Sequence, residues 1–336
     1  MKRYLSPALT ALLCATCVTW AQNSSLAPHN NNGNLGGVRY LEPGQRPVII
    51  HPTVEAAKQA RKRGGSASKN LYYHGGTSDG LLGAIGVETA PRIYLVFWGS
   101  QWDNNDPSSE AAILENFLSG ASGSPWLKSV TQYCQTVASG TYFCNGSGTP
   151  AGNTTGEYIS YWYDNASKAP SHPRQSQLAS EALNAASHFG NTTPSDNVSA
   201  QYVIATATGN SSTGFGSQYC AYHSSTSSST SGDVAYTNLP YITDAGASCG
   251  ANFNGLGPDA GITIVEGHEA AETITDQFPN GGWLDSSGYE NGDKCAWISS
   301  GQGASADVSF STGTYPVQSL WSNAFNSGAG GCVLSY

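Results

Sequence analysis

His268, Glu269 and Glu272 make the spacing in this chain with the clearest chemical meaning. Side chains four residues apart share one face of a helix, so the His268 imidazole and the Glu272 carboxylate can hold a single cation between them. Glu269 stands about 100° round the same helix, where it can reach a water on that cation without ligating it. This is the mechanical logic of His-Glu-x-x-His metallohydrolases, with a carboxylate in place of the second imidazole. Such a spacing arises by chance in about one chain in a hundred of this composition, and an ordinary polar helix face looks the same.

The surrounding residues supply the context. Asp259 is a suitable N-cap, and Ile262, Val265 and Ile274 form the apolar set of the expected helix. Pro279 and the glycines that follow end the helix and turn the chain back. A returning loop then carries Glu290 toward the His268 face, with Cys295 as a covalent anchor. The expected ligands are His268, Glu272 and Glu290 around Zn2+, with Glu269 as general base and water in the fourth position. Asp276 is the rival third ligand, four residues beyond Glu272, although Thr275-Asp276 before Gln-Phe-Pro also reads as a helix ending. Two carboxylate ligands cancel the charge of Zn2+ and acidify bound water less, which keeps Mn2+ or Ca2+ open. Asp285, Glu290 and Asp293 among glycines offer a Ca2+ loop, but their spacing departs from the EF-hand. His223 reads mainly as a polar loop residue beside a disulfide. Tyr289, Tyr222 and His223 are candidates to stabilise an oxyanion.

Elements able to position this set follow from residue 70 onward. Ile93–Trp98 is a continuous apolar, β-branched and aromatic run and reads as a buried strand. Ser108 or Ser109 caps a helix through Ala111, Ile113, Leu114 and Phe117, and residues 126–134 suggest another. Tyr158–Tyr163 reads as a strand, Ser176–Phe189 as a helix, Tyr202–Thr208 as a strand and Val234–Tyr241 as a short one. Ser224–Ser231, all Ser and Thr, is expected to be a loop. The reading is an α+β (α/β-like) domain: a twisted mixed sheet carrying a backing helix and an active-site helix, zincin-like and disulfide-stabilised.

The chain also resembles the EXORDIUM, or phosphate-induced, proteins of plants and their secreted microbial relatives. The residues that carry the likeness are Tyr72-Tyr73-His74-Gly75-Gly76, Tyr219 through Ser224, His268-Glu269 through Glu272, Thr275-Asp276, Glu290 and Cys295. The resemblance spans most of residues 70–336 and implies an extracellular or cell-wall protein with a zincin-like core. It does not carry over a catalytic activity. The Ser/Thr-rich stretch and the C-terminal region depart from the plant pattern.

The N-terminus reads as an export signal. Lys2 and Arg3 precede an apolar stretch from Tyr4 to Trp20, then Ala21 before polar residues, and cleavage after Ala21 is expected. The stretch is short for a membrane span, and no later one reaches the roughly 20 apolar residues a span needs. Six cysteines follow the signal, enough for up to three disulfides in an oxidising compartment, with Cys134–Cys144 the local pair. Residues 22–69 are expected to be a disordered leader or a pro-segment cut near Arg63, ahead of a single domain over 70–336.

Beyond residue 69 only Arg92, Lys128, Lys168, Arg174 and Lys294 oppose 21 Asp and Glu, a balance of −16. Such a surface repels polyanions, so nucleic acid and anionic membrane are not expected partners. Scarce lysine also suits an acidic medium. The expected function is a secreted metallopeptidase-like hydrolase, a monomer acting on a peptide or protein. The alternative is a non-catalytic protein with a structural metal that binds a cell-wall polymer, carbohydrate or peptide through Trp98, Trp102, Trp162, Trp283 and Trp297, unless these are core.

Overall fold

The computed structural model describes residues 37–62, 70–78 and 82–336; the signal segment and Arg63 lie outside them. Seven strands form the main sheet: β1 (Val38–Arg39), β2 (Val48–Pro52), β3 (Arg92–Trp98), β4 (Tyr158–Asp164), β5 (Ala200–Thr206), β6 (Tyr219–Ser228) and β7 (Gly232–Leu239). Their spatial order is β1-β2-β6-β7-β5-β3-β4. Pairing is parallel from β7 through β5 and β3 to β4, and antiparallel from β7 through β6 and β2 to β1. The molecule is therefore mixed α+β with a mixed sheet.

The apolar run at β3 lies in the parallel part, covered on both faces, which is why it reads as continuous rather than alternating. On one face Tyr94, Val96, Tyr202, Ile204 and Tyr222 pack against α3 (Gln175–His188) through Leu178, Ala182 and Ala186. On the other, Leu95, Phe97, Val203 and Leu239 meet α2 (Glu110–Ala121) and α4 (Ala260–Thr275). Alternation along each strand assigns side chains to one layer or the other. Every residue of α4 is buried, because the hairpin β8 (Ala306–Phe310) and β9 (Gly313–Val317) covers its outer side.

Several expectations need correction. Ser224–Ser228 is not loop but the second half of β6, paired in register with β7 from Ser224↔Tyr236 to Ser228↔Gly232. Ser109 does not cap α2 with its side chain; the Asp106 carboxylate does, accepting from Glu110 N and Ala111 N at 2.8 and 3.1 Å. Nor does the Asp259 side chain cap α4. Residues 126–134 hold only a short 3-10 helix, Leu127–Gln132.

The largest correction is at the N-terminus. Within 37–62 the chain is no disordered leader, since β2 is fully built into the sheet and is followed by α1 (Val54–Lys62). Val-Ile-Ile-His is a β-branched run too short to have stood out. Trp102, Trp283 and Trp297 are core residues, so they form no binding surface.

Three disulfides join Cys134–Cys144, Cys220–Cys249 and Cys295–Cys332. The first is the expected local bridge. The second ties β6 to the turn before α4, and the third anchors the loop after Glu290. They place the chain in an oxidising environment. Among the described residues, no helix is long and apolar enough to cross a membrane.

Candidate metal centre

α4 holds His268 and Glu272 on one face, with His268 Nε2 3.1 Å from Glu272 Oε2. Asp276 then ends the helix. Its carboxylate accepts backbone N–H groups of Asn280 (2.7 Å), Gly281 (2.9 Å) and Gly282, which form the turn that reverses the chain. Burial pushes Asp276 up to about 6, against the pull of these donors. Asp276 thus holds the turn, and its carboxylate points toward His223 and Glu290 rather than joining His268 and Glu272.

The returning loop reaches the helix, but the carboxylate it brings to the His268–Glu272 pair is Asp293. Asp293 Oδ1 lies 3.9 Å from His268 Nε2, and the three ligand-type atoms fall within 4.8 Å of one another. Glu290 is grouped instead with His223 and Asp276, its Oε2 3.4 Å from His223 Nε2. Gly292 makes the approach possible. A Cβ there would stand 2.7 Å from His268 Nδ1 and 2.9 Å from Glu272 Oε1.

The hydrogen bonding around the three residues is asymmetric. His268 Nδ1 faces Gln318 Oε1 at 3.3 Å, and the Gln318 amide donates to Gly292 O at 2.9 Å, which fixes its orientation. The His268 tautomer that donates from Nδ1 leaves the Nε2 lone pair pointing at the two carboxylates. Glu272 Oε1 accepts from Asp293 N at 2.7 Å, and Asp293 Oδ2 from Glu290 N at 3.2 Å. The remaining atoms, His268 Nε2, Glu272 Oε2 and Asp293 Oδ1, are buried with no hydrogen-bond partner. Buried polar atoms left without partners are costly, and three that converge fit a cation. These residues therefore suit a small divalent ion, held by one imidazole and two carboxylate oxygens.

Glu269 lies beside this group. Its Oε2 is 3.1 Å from His223 Nδ1 and its Oε1 has no partner. His223 is a fully buried residue of β6, not a polar loop residue, and burial lowers its pKa to about 4. A neutral His223 donating from Nδ1 holds Glu269 in place. Tyr222, its neighbour in the strand, faces α3 on the opposite side of the sheet and does not reach the cluster. Burial, with Glu272 next in weight, pushes the Glu269 pKa well up. At Glu290 burial and the Glu272 and Asp276 carboxyl groups do the same. Asp293 is raised by burial and Glu272. Glu272 alone moves down: burial raises it, but His268 and His223 outweigh that. So many buried carboxyl groups crowded together favour a bound cation.

The Ca2+ loop does not form. Asp285 Oδ1 accepts from Ser287 N and Tyr289 N at 2.8 and 3.1 Å, and its Oδ2 pairs with Lys294 at 2.9 Å. His51 was not foreseen at all. Its ring stacks on His268 with centroids 4.0 Å apart and planes within 6°, and Trp297 stacks beyond it at 4.8 Å. The aromatic and small apolar run Tyr-Cys-Ala-Tyr before His223 could have indicated a buried strand there; nothing local pointed to His51 or Gln318.

No protein-family model, curated protein or solved structure matches the chain.

Proposed function

We propose that this chain is a secreted metal-dependent hydrolase, a peptidase of zincin-like architecture, in which His268, Glu272 and Asp293 hold the metal. One observation carries the reading: three buried, unpartnered ligand atoms converge while each residue's other polar atom is satisfied. Bound there, Zn2+ or a harder divalent ion would polarise a carbonyl and acidify water. Glu269, held by His223, takes the proton of the attacking water and returns it to the leaving amine. His223 positions the base and keeps one carboxylate oxygen free for it. The zincin-like assignment draws support from the order of elements: a backing helix on a mixed sheet, then an antiparallel hairpin, then the helix with His268. Export draws support from the N-terminal signal pattern and the three disulfides.

A second reading, a structural ion in a non-catalytic extracellular binding protein, is favoured by the burial of the cluster's side chains. The two separate by experiment. Protein beginning at Gln22 is analysed for metal by mass spectrometry and assayed on a mixed peptide library, with Glu269→Gln alongside. The hydrolase reading expects about one ion per chain in both forms, and a loss of cleavage of about 10²–10⁴-fold in the variant. Metal retained without cleavage by either form, before and after removal of the N-terminal segment, would leave the structural ion standing.

A further inference from the structure

Hydrolysis needs a polypeptide to reach the His268–Glu272–Asp293 atoms, and β2 is one of the segments that cover them, beside the Gly292 loop and Gln318. β2 runs antiparallel along β6, with Ile49 opposite His223 and Ile50 opposite Tyr222. Among the described residues, only the two-residue β1 lies beyond it in the sheet. Side chains of β2 divide by alternation. Val48 and Ile50 enter the layer under α3 beside Tyr219 and Tyr222. His51 goes to the opposite side, as a flat ring between His268 and Trp297. Both His51 ring nitrogens are buried with no hydrogen-bond partner, and the ring is stacked between its two neighbours with its nitrogens near His268 and Glu269. The indole of Trp297 donates to Pro52 O at 2.7 Å and holds the backbone at the same point.

This is how an extended peptide docks on a sheet edge: main-chain bonds supply affinity whatever the sequence, and alternate side chains find pockets. We infer that the edge of β6 is a binding site for an extended polypeptide strand, and that residues Val48–Pro52 are its built-in occupant in the intact chain. The site selects a flat ring at the place of His51 and β-branched apolar side chains at the places of Val48 and Ile50. Strands β3 to β7 form a continuous sheet without β2. Lys62, at the end of α1, is exposed and offers a point of separation. While the occupant is in place the centre is closed; once it leaves, the same edge takes substrate. This deepens the hydrolase reading, on which only the fate of the bound peptide rests.

The test uses the whole chain, cut after Lys62 and kept under native conditions, and a fluorescent peptide of residues 46–54 as the probe. The cut chain is expected to exchange its segment for the probe and to bind it on the order of micromolar, while the uncut chain does not. A probe carrying His51→Ala should bind about ten-fold more weakly, having lost the ring stack. In the uncut His51→Ala chain, slow binding of the probe should become measurable with the melting transition still cooperative. The inference is overturned if the cut chain loses cooperative melting as the segment departs, or if cut and uncut chains bind the probe alike or not at all. Binding is read in the Glu269→Gln background as well. Probe binding without hydrolysis by the unmutated cut chain would defeat the hydrolase reading and leave this one intact.

Discussion

Glu290 and Asp293 sit three residues apart in one loop and have different partners, so their substitutions separate. Asp293→Asn replaces one of two carboxylate oxygens at the His268 group and should weaken metal binding at least 100-fold in a competitive chelator titration. Glu290→Gln should weaken it less than ten-fold, because Glu290 faces His223. Equal losses would return Glu290 to the ligand set. Gln318→Ala removes the acceptor that orients His268 and should cost about 10–100-fold in affinity, the usual worth of such an outer partner. All three readouts are independent of catalysis.

Two glycines beside the centre permit close approaches of the elements around it. On α4, a Cβ at Gly267 would stand 2.9 Å from Phe117 Cζ and 3.0 Å from Trp126 Cη2. Gly267→Ala should therefore destabilise the fold by about 1–3 kcal/mol through overpacking, measured by urea unfolding, with little change in metal affinity. In the loop, Gly292 has φ −78, a conformation any residue adopts, so alanine there brings no backbone strain. Its Cβ meets the His268 and Glu272 side chains instead. Gly292→Ala should weaken metal binding strongly while the metal-free melting temperature moves by only a few degrees. The reverse pattern would show that the loop supports the fold rather than the centre.

For the molecule as a whole, buried carboxyl groups set the pH response. Burial raises Glu88 and Glu181 to about 8, and Glu110 and Glu157 to about 7, from the ordinary 4.5. Each holds its proton more tightly folded than unfolded, so its stabilisation is complete below about 4.5 and is lost as pH rises through 7 to 8. His223, lowered to about 4, and His51, lowered by burial and by His268, act in the opposite sense. Their contribution is present above 6.5 and lost as pH falls toward 4. Between pH 6.5 and 8.5 only the carboxyl effect operates, and the melting temperature should fall across that range. Glu88→Gln, which keeps an acceptor for Gln201, should flatten the fall by a few degrees. A melting temperature that rises from pH 6.5 to 8.5 would contradict the assignment. The same sense fits a surface poor in lysine and suited to acid.

What the sequence determined by itself is local. His268 and Glu272 share a face because helical spacing alone puts them there, and β3 was legible because a strand covered on both faces must be apolar throughout. The Cys134–Cys144 bridge closes so short a loop that its pairing could be read as well. The rest depends on encounters between distant parts of the chain. Which carboxylate reaches His268 is decided by the path of a loop held by Cys295–Cys332 and Gly292, and three residues of difference along it exchange Glu290 for Asp293. His223 and His51 reach the centre through strand pairing across 170 positions or more, and no local periodicity records which strands will pair.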